Sequence, residues 1–194
     1  MKLYCATTNQ GKLREFRLAA GLGWDVESLN LTGVPVPDET GATFEENAIQ
    51  KALYYAPHAP GPLFAEDSGL EVTALGGAPG IYSARYAGLA ATDDANNQLL
   101  MERLAGTADR RARYVCALAI VSDGQVRGVF RGEMEGEMLE APRGAGGFGY
   151  DPFFYYSPFQ ATLAEVAVER TFTVSHRRRA LDELFAWLRA APRF

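Results

Sequence analysis

At 194 residues and 21.1 kDa, with 47% hydrophobic and 22% charged residues, the chain has the length of one ordinary domain and enough apolar material for a core, which excludes disorder. Its longest nearly unbroken apolar stretch, Tyr114 to Val121, falls well short of the ~20 residues a membrane span needs, and the Met1 to Ala6 start lacks the apolar region of a signal peptide, so a cytoplasmic protein without a membrane partner is expected. A net charge of −5 and a pI near 5.1 argue against a nucleic-acid partner, because duplex affinity rests on Lys and Arg neutralising phosphates.

Taken in chain order, Lys2 to Thr7 predicts a strand, and Thr8-Asn9 offers cap residues before Leu13, Phe16 and Ala20 recur at helical spacing. Val26 to Leu31 reads as a second strand, and Gly33 to Gly41, with Pro35 and Pro37, as a loop. Thr43-Phe44-Glu45-Glu46 matches a capping box that opens a helix to about Tyr55. Leu63 to Ala65 is an apolar strand leading into Glu66-Asp67-Ser68-Gly69, of which Asp67-Ser68-Gly69 also reads as a turn, and a glycine-rich loop follows at Gly76 to Gly80. Thr92-Asp93-Asp94 suits a helix start. Ala112 to Ser122 is a long buried strand, and Asp123-Gly124 turns it into a second strand, Val126 to Met134. Pro142 to Pro152 is a shaped loop carrying Phe148, Tyr150 and Asp151, and the last helix starts near Ser175 with Leu181, Leu184, Phe185 and Leu188 on one face. The order predicts an α/β fold, a mixed central β-sheet flanked by helices, in a single domain over 1–194. Cys5 and Cys116 lie in apolar runs without paired spacing and read as buried thiols.

Several of these segments could carry chemistry. Thr7-Thr8-Asn9-Gln10-Gly11-Lys12 leaves a strand and opens a helix, so free amides, hydroxyls and an ammonium converge where a phosphate would fit; the same segment also reads as an ordinary N-cap with a solvent-facing lysine. Asp38-Glu39 in a loop and Glu66-Asp67 at a strand end are placed to hold a hard cation such as Mg²⁺, or to form solvated turns. Three of the 19 basic residues are lysines, Lys2, Lys12 and Lys51, which singles out the latter two. Ser175-His176-Arg177-Arg178-Arg179 puts cations in a first helical turn where the dipole is already positive, at roughly 0.3–1 kcal/mol per charge, so something anionic or electron-rich should compensate. Arg85 is either a surface residue or a further phosphate contact. Flat aromatic faces on the Gly147-Phe148-Gly149-Tyr150-Asp151 loop, beside polar edges and cations, suggest a nucleotide.

Together these residues resemble the family of inosine/xanthosine triphosphate pyrophosphatases. The matching stretches are Thr7 to Lys12 with Glu15, Glu39-Thr40-Gly41 through Thr43 to Ala52, Glu66 to Val72, Leu75 to Tyr86, Gly147 to Pro152 and Ser175-His176-Arg177, in the family's order over nearly the whole chain. The resemblance implies hydrolysis of non-standard purine nucleoside triphosphates (ITP, dITP, XTP) to the monophosphate and pyrophosphate, with Mg²⁺, by a homodimer with a cleft between two lobes. By position it implies Thr7, Thr8, Asn9, Lys12 and Lys51 as phosphate contacts. Glu39 and Asp67 become metal ligands with Asp38 as the alternative, and Asp67 also activates water. Ser68, Phe148, Gly149, Tyr150, Asp151, His176 and Arg177 hold the nucleoside. Donors on His176 and Arg177 would suit a 6-keto oxygen and leave adenine's amino group facing unpaired donors, at about 1–3 kcal/mol. One position departs: the family places a lysine five residues before the histidine, where this chain has Thr171 with Arg170 adjacent, so either Arg170 substitutes or that contact is missing. Competing readings are a diphosphatase for standard or pyrimidine triphosphates and a nucleotide-sensing module without turnover.

Overall fold

The computed structural model describes residues 2–190. In chain order the elements are β1 (Lys2–Cys5), α1 (Gln10–Ala20), β2 (Asp25–Ser28), α2 (Phe44–Tyr55), β3 (Leu63–Val72), α3 (Asp93–Arg103), β4 (Arg111–Ser122), β5 (Gln125–Met138), β6 (Phe154–Tyr156), β7 (Ala161–Thr162), α4 (Val168–Phe172) and α5 (His176–Ala190). Among the described residues, seven strands are hydrogen-bonded in the order β2-β1-β3-β4-β5-β6-β7. β1 pairs in parallel with β2 and with β3, whereas β5, β6 and β7 pair antiparallel, so the sheet is mixed, as the interleaved strands and helices require.

Contacts divide the chain into two compact units, one of Met1–Asp67, Cys116–Gly132 and His176–Phe194, the other of Ser68–Val115 and Glu133–Ser175. In the first unit, Leu13, Phe16 and Ala20 of α1 and Leu181, Leu184, Phe185 and Leu188 of α5 are buried, the stripes their spacing predicts. Phe16 packs edge-on against Phe64 of β3, with ring centroids 5.0 Å apart. Cys5 and Cys116 are buried free thiols, and burial pushes the Cys5 thiol up to about 12. In the second unit, Leu70, Val72, Leu100, Leu104, Met134, Met138, Phe154 and Leu163 form a core, with Tyr114 and Tyr150 at its polar margin.

Four local expectations change. β3 continues without a turn through Asp67-Ser68-Gly69 to Val72, because ladder pairing in the sheet outweighs the turn composition of that tripeptide. β5 extends to Met138, four residues beyond the expected end, and β2 ends at Ser28 rather than Leu31. At α2 the Thr43 hydroxyl accepts from the Glu46 amide, but the Glu46 carboxylate accepts from the amide of Ala42, one residue further back than a capping box requires. Asp123 and Gly124 both adopt positive φ, 52° and 71°, the turn that joins two twisted antiparallel strands. Among the described residues no helix is long and apolar enough to cross a membrane.

Candidate active site

The adjacent acids of β3 organise the site in the first unit. Neighbouring residues on a strand point to opposite faces, and Glu66 and Asp67 each meet a different lysine. Glu66 takes Lys12 at 2.5 Å and the Arg177 Nε at 2.9 Å. Arg177 also donates to Glu15 at 2.9 Å, so a buried network ties α1, β3 and α5. Burial disfavours charge on Glu66, yet Arg177 and Lys12 hold its carboxyl well below the ordinary carboxylate range. The anionic compensation that the basic start of α5 demands is thus supplied inside the protein by Glu66 and Glu15, and Arg178 is satisfied by Asp182 one turn on.

On its other side β3 presents Asp67. The Lys51 ammonium lies 2.8 Å from Asp67 Oδ1 and 3.0 Å from Glu39 Oε1, and the Asn47 amide donates to Asp67 Oδ2 at 3.2 Å. Asn47 is itself aimed by the Gly41 amide, which donates to its Oδ1 at 2.8 Å. A Cβ at Gly41 would sit 2.7 Å from that oxygen, so the close approach needs glycine. Burial raises the Asp67 carboxyl above its ordinary value, outweighing the pull of Lys51, whereas Lys51 is held above the ordinary lysine value by Asp67 and Glu39 against the effect of its own burial. A carboxylate that is costly to keep charged is a ready proton acceptor and a ready cation ligand.

Among the described residues no group of three or more His, Cys, Asp or Glu forms a complete metal cage. Mg²⁺ asks for less: one or two carboxylates, with water and phosphate oxygens filling the shell. Glu39 and Asp67, converging on one cationic point at Lys51, fit that donor set. Asp38 is exposed, and it is Glu39 that the fold brings to Asp67.

The phosphate-type segment precedes α1. Asn9 caps the helix by accepting from the Lys12 amide at 3.1 Å, and the Thr7 hydroxyl accepts from the Asn9 amide. Thr8 is exposed. Behind the α5 start, burial followed by the Arg177 charge pushes the His176 imidazole down to about 3, so it is neutral.

The second unit holds the remaining expected residues. Ser68 follows Asp67 on β3, and Arg85 closes a 3-10 turn, Gly80–Arg85, with its guanidinium 5.4 Å from the Tyr82 ring centroid. In the loop from Leu139 to Phe153, Phe148 is 70% exposed. Asp151 accepts from the Phe148 amide and from the Tyr114 hydroxyl, both at 3.0 Å, and the Tyr150 hydroxyl donates to Ser83 O at 2.8 Å. Arg170 stacks 4.4 Å from the Phe159 ring centroid, and the neighbouring Thr171 hydroxyl is buried with no partner among the described residues. Sequence reasoning paired Glu66 with Asp67 as a candidate cation site, whereas the fold gives it to Lys12 and Arg177; it read Asp93 only as part of a helix start and gave Glu15, Asn47 and Asn97 no role. A buried acid in an apolar strand signals an internal cation at Glu66, while no local signal marks the two asparagines.

A profile of the Ham1 family matches residues 3–187. The dITP/XTP pyrophosphatase of Acidobacterium capsulatum is 47% identical over 200 residues, covering 97% of this chain and 98% of that protein. The dITP/XTP pyrophosphatase of Thermus thermophilus is 46% identical over 196 residues, covering 99% and 94%. Among solved structures, the Ham1 protein of Staphylococcus aureus superposes with a TM-score of 0.90 at 40% identity over 98% of this chain and 99% of that one. The HAM1 protein of Coxiella burnetii gives 0.91 at 38% identity over 98% and 100%. With agreement of sequence and fold over nearly every residue of both partners, this chain belongs to the Ham1 family.

Proposed function

We propose that the protein hydrolyses non-standard purine nucleoside triphosphates, dITP, ITP and XTP, to the monophosphate and pyrophosphate. The observation that carries the reading is the meeting of Asp67, Glu39 and Lys51 on one point, in a chain whose relatives bear the name dITP/XTP pyrophosphatase. Glu39 and Asp67 would hold a divalent cation, Mg²⁺, which would supply neutralising charge to the phosphates and to the departing pyrophosphate. Lys51 and Lys12, with the hydroxyls and amides of Thr7, Thr8 and Asn9, take the triphosphate, each lysine tethered to an acid that aims it. Asp67, held above the ordinary carboxylate value, accepts a proton from the attacking water. We assign the nucleoside to Ser68, Phe148, Gly149, Tyr150, Asp151 and neutral His176, and Arg85 to an outer phosphate oxygen. Arg177, with three nitrogens on Glu66 and Glu15, acts mainly by fixing Lys12.

We further propose that 1–194 works as one functional domain, as a homodimer in the cytoplasm; light scattering giving the monomer mass would refute the dimer. The deciding experiment supplies ITP, XTP, dITP and the four standard nucleotides with Mg²⁺ and identifies products. Pyrophosphate with the monophosphate, fastest for the non-standard purines, is expected. Orthophosphate release, or no turnover of any triphosphate, eliminates the assignment.

A further inference from the structure

Phe148 presents its ring to solvent, 70% exposed, on a backbone that is unusually well held. It is flanked by Gly147 and Gly149 at φ +70° and +60°. A Cβ on Gly147 would strike the Asp151 carboxylate, so that position has room only for glycine as well as the dihedral that favours it. The Phe148 amide donates to Asp151 Oδ2 at 3.0 Å, and its carbonyl accepts from the Asp151 amide at 3.2 Å. The next residue is gripped by a different element. Gly149 donates its N–H to Asp93 Oδ2 at 2.7 Å, and its carbonyl accepts from Asn97 Nδ2 at 2.8 Å. Asp93 and Asn97 stand one turn apart on α3, whose N-cap is Thr92, so a rigid helix holds both polar groups of one loop residue from both ends.

Asn97 shows that this grip is not simply a by-product of packing. The residue is 7% exposed, and its Oδ1 is buried with no hydrogen-bond partner. A buried unsatisfied acceptor is destabilising, and such groups are few and call for an explanation in what the rest of the side chain does. Here the other end of the amide fixes the Gly149 carbonyl.

We propose that Asp93 and Asn97 are positioning residues for nucleoside recognition, clamping Gly149 so that the exposed Phe148 ring is a preorganised stacking face for the purine. An aromatic face already fixed in its bound orientation loses little conformational entropy when a base stacks on it, and the saving appears as affinity. The inference rests on the reading that the Phe148–Asp151 loop takes the nucleoside.

The test compares Asp93→Ala, Asp93→Asn, Asn97→Asp and Phe148→Ala with the parent enzyme. It measures kcat and KM for ITP with Mg²⁺ and the inhibition constants of inosine monophosphate and pyrophosphate. Asp93→Ala removes the acceptor for the Gly149 N–H, and Asn97→Asp turns a donor into a carboxylate facing a carbonyl at unchanged size. Each is expected to raise KM and the inosine monophosphate constant about tenfold, the effect of losing one good hydrogen bond, with kcat little changed and the pyrophosphate constant unmoved. Asp93→Asn keeps an oxygen acceptor and should recover most of the loss. Should Asp93→Ala not fold by circular dichroism, the near-isosteric Asn97→Asp carries the comparison. A parallel rise in the pyrophosphate constant overturns the proposal, because it marks general damage. Unchanged KM in both clamp variants while Phe148→Ala raises it overturns the clamp alone. If Phe148→Ala also leaves KM and the inosine monophosphate constant untouched, the nucleoside assignment of the loop falls with it.

Discussion

Asp67 sits where burial works against its charge while Lys51 and Asn47 favour it, and substitutions there separate chemistry from folding. Asp67→Asn keeps the size and one acceptor for Lys51, so the fold should persist, with turnover of ITP reduced by about 10²–10⁴-fold, the typical worth of a positioned proton acceptor; steady-state kinetics beside a thermal melt measure both, and full activity would remove Asp67 from its role. His176 makes a different residue-scale prediction. In the unfolded chain the imidazole titrates near 6.5, whereas in the fold it titrates near 3. The unfolded state therefore binds more protons between those values, so this contribution to stability is complete above pH 6.5 and is lost as pH falls toward 3, with a slope of up to about 1.4 kcal/mol per pH unit. Denaturant midpoints for His176→Gln should vary less across that window; an unchanged slope would show that the imidazole takes its proton in the fold. Lys12, Lys51, Glu39 and Asp67 were legible in the sequence because lysine is scarce and the acids sit at a strand and a loop. The partners that aim them were not, since Asn47 is an ordinary helix residue until the chain brings it to Asp67.

Among the elements, α2 matters most to the site, because its first turn positions Asn47 and its second carries Lys51. Thr43→Ala removes the cap and should cost about 1 kcal/mol, a fall of roughly 2–4 °C in Tm for a chain of this length. Gly41→Ala should cost more, about 1–3 kcal/mol, by driving a methyl group into Asn47 Oδ1 and leaving polar groups unpaired; equal melting temperatures for the two variants would contradict this close-packed account. Helices α1, α2, α3 and α5 were readable from periodicity and caps, as were the buried stripes of α1 and α5 and the Asp123-Gly124 hairpin, whereas the short α4 was not. The unbroken run of β3 through Asp67-Ser68-Gly69 was not, because local composition favours a turn there and only pairing with strands distant in sequence overrides it.

For the whole molecule, the buried ions joining Lys12 and Glu15 near the start of the chain to Arg177 near its end are the interactions most exposed to single substitutions. Arg177→Met leaves Glu66 buried with half its partners gone and should cost about 3–5 kcal/mol, whereas the double variant Glu66→Gln, Arg177→Met should recover part of that loss. A double-mutant cycle by denaturant titration measures the coupling, and additive costs would mean the two groups do not act as a pair. The mixed sheet and its α/β class were legible from the order of strands and helices, while the pairing of chain ends through charge was visible only as an unexplained basic helix start. β1 meets β3 with Tyr4 opposite Leu63 and Cys5 opposite Phe64, which sets where each later residue of β3 points. One codon inserted between Leu63 and Glu66 would reverse inside and outside for both acids at once. Asp67 would then face Arg177 and Glu66 would face Lys51, so this short stretch should tolerate changes of side chain far better than changes of length.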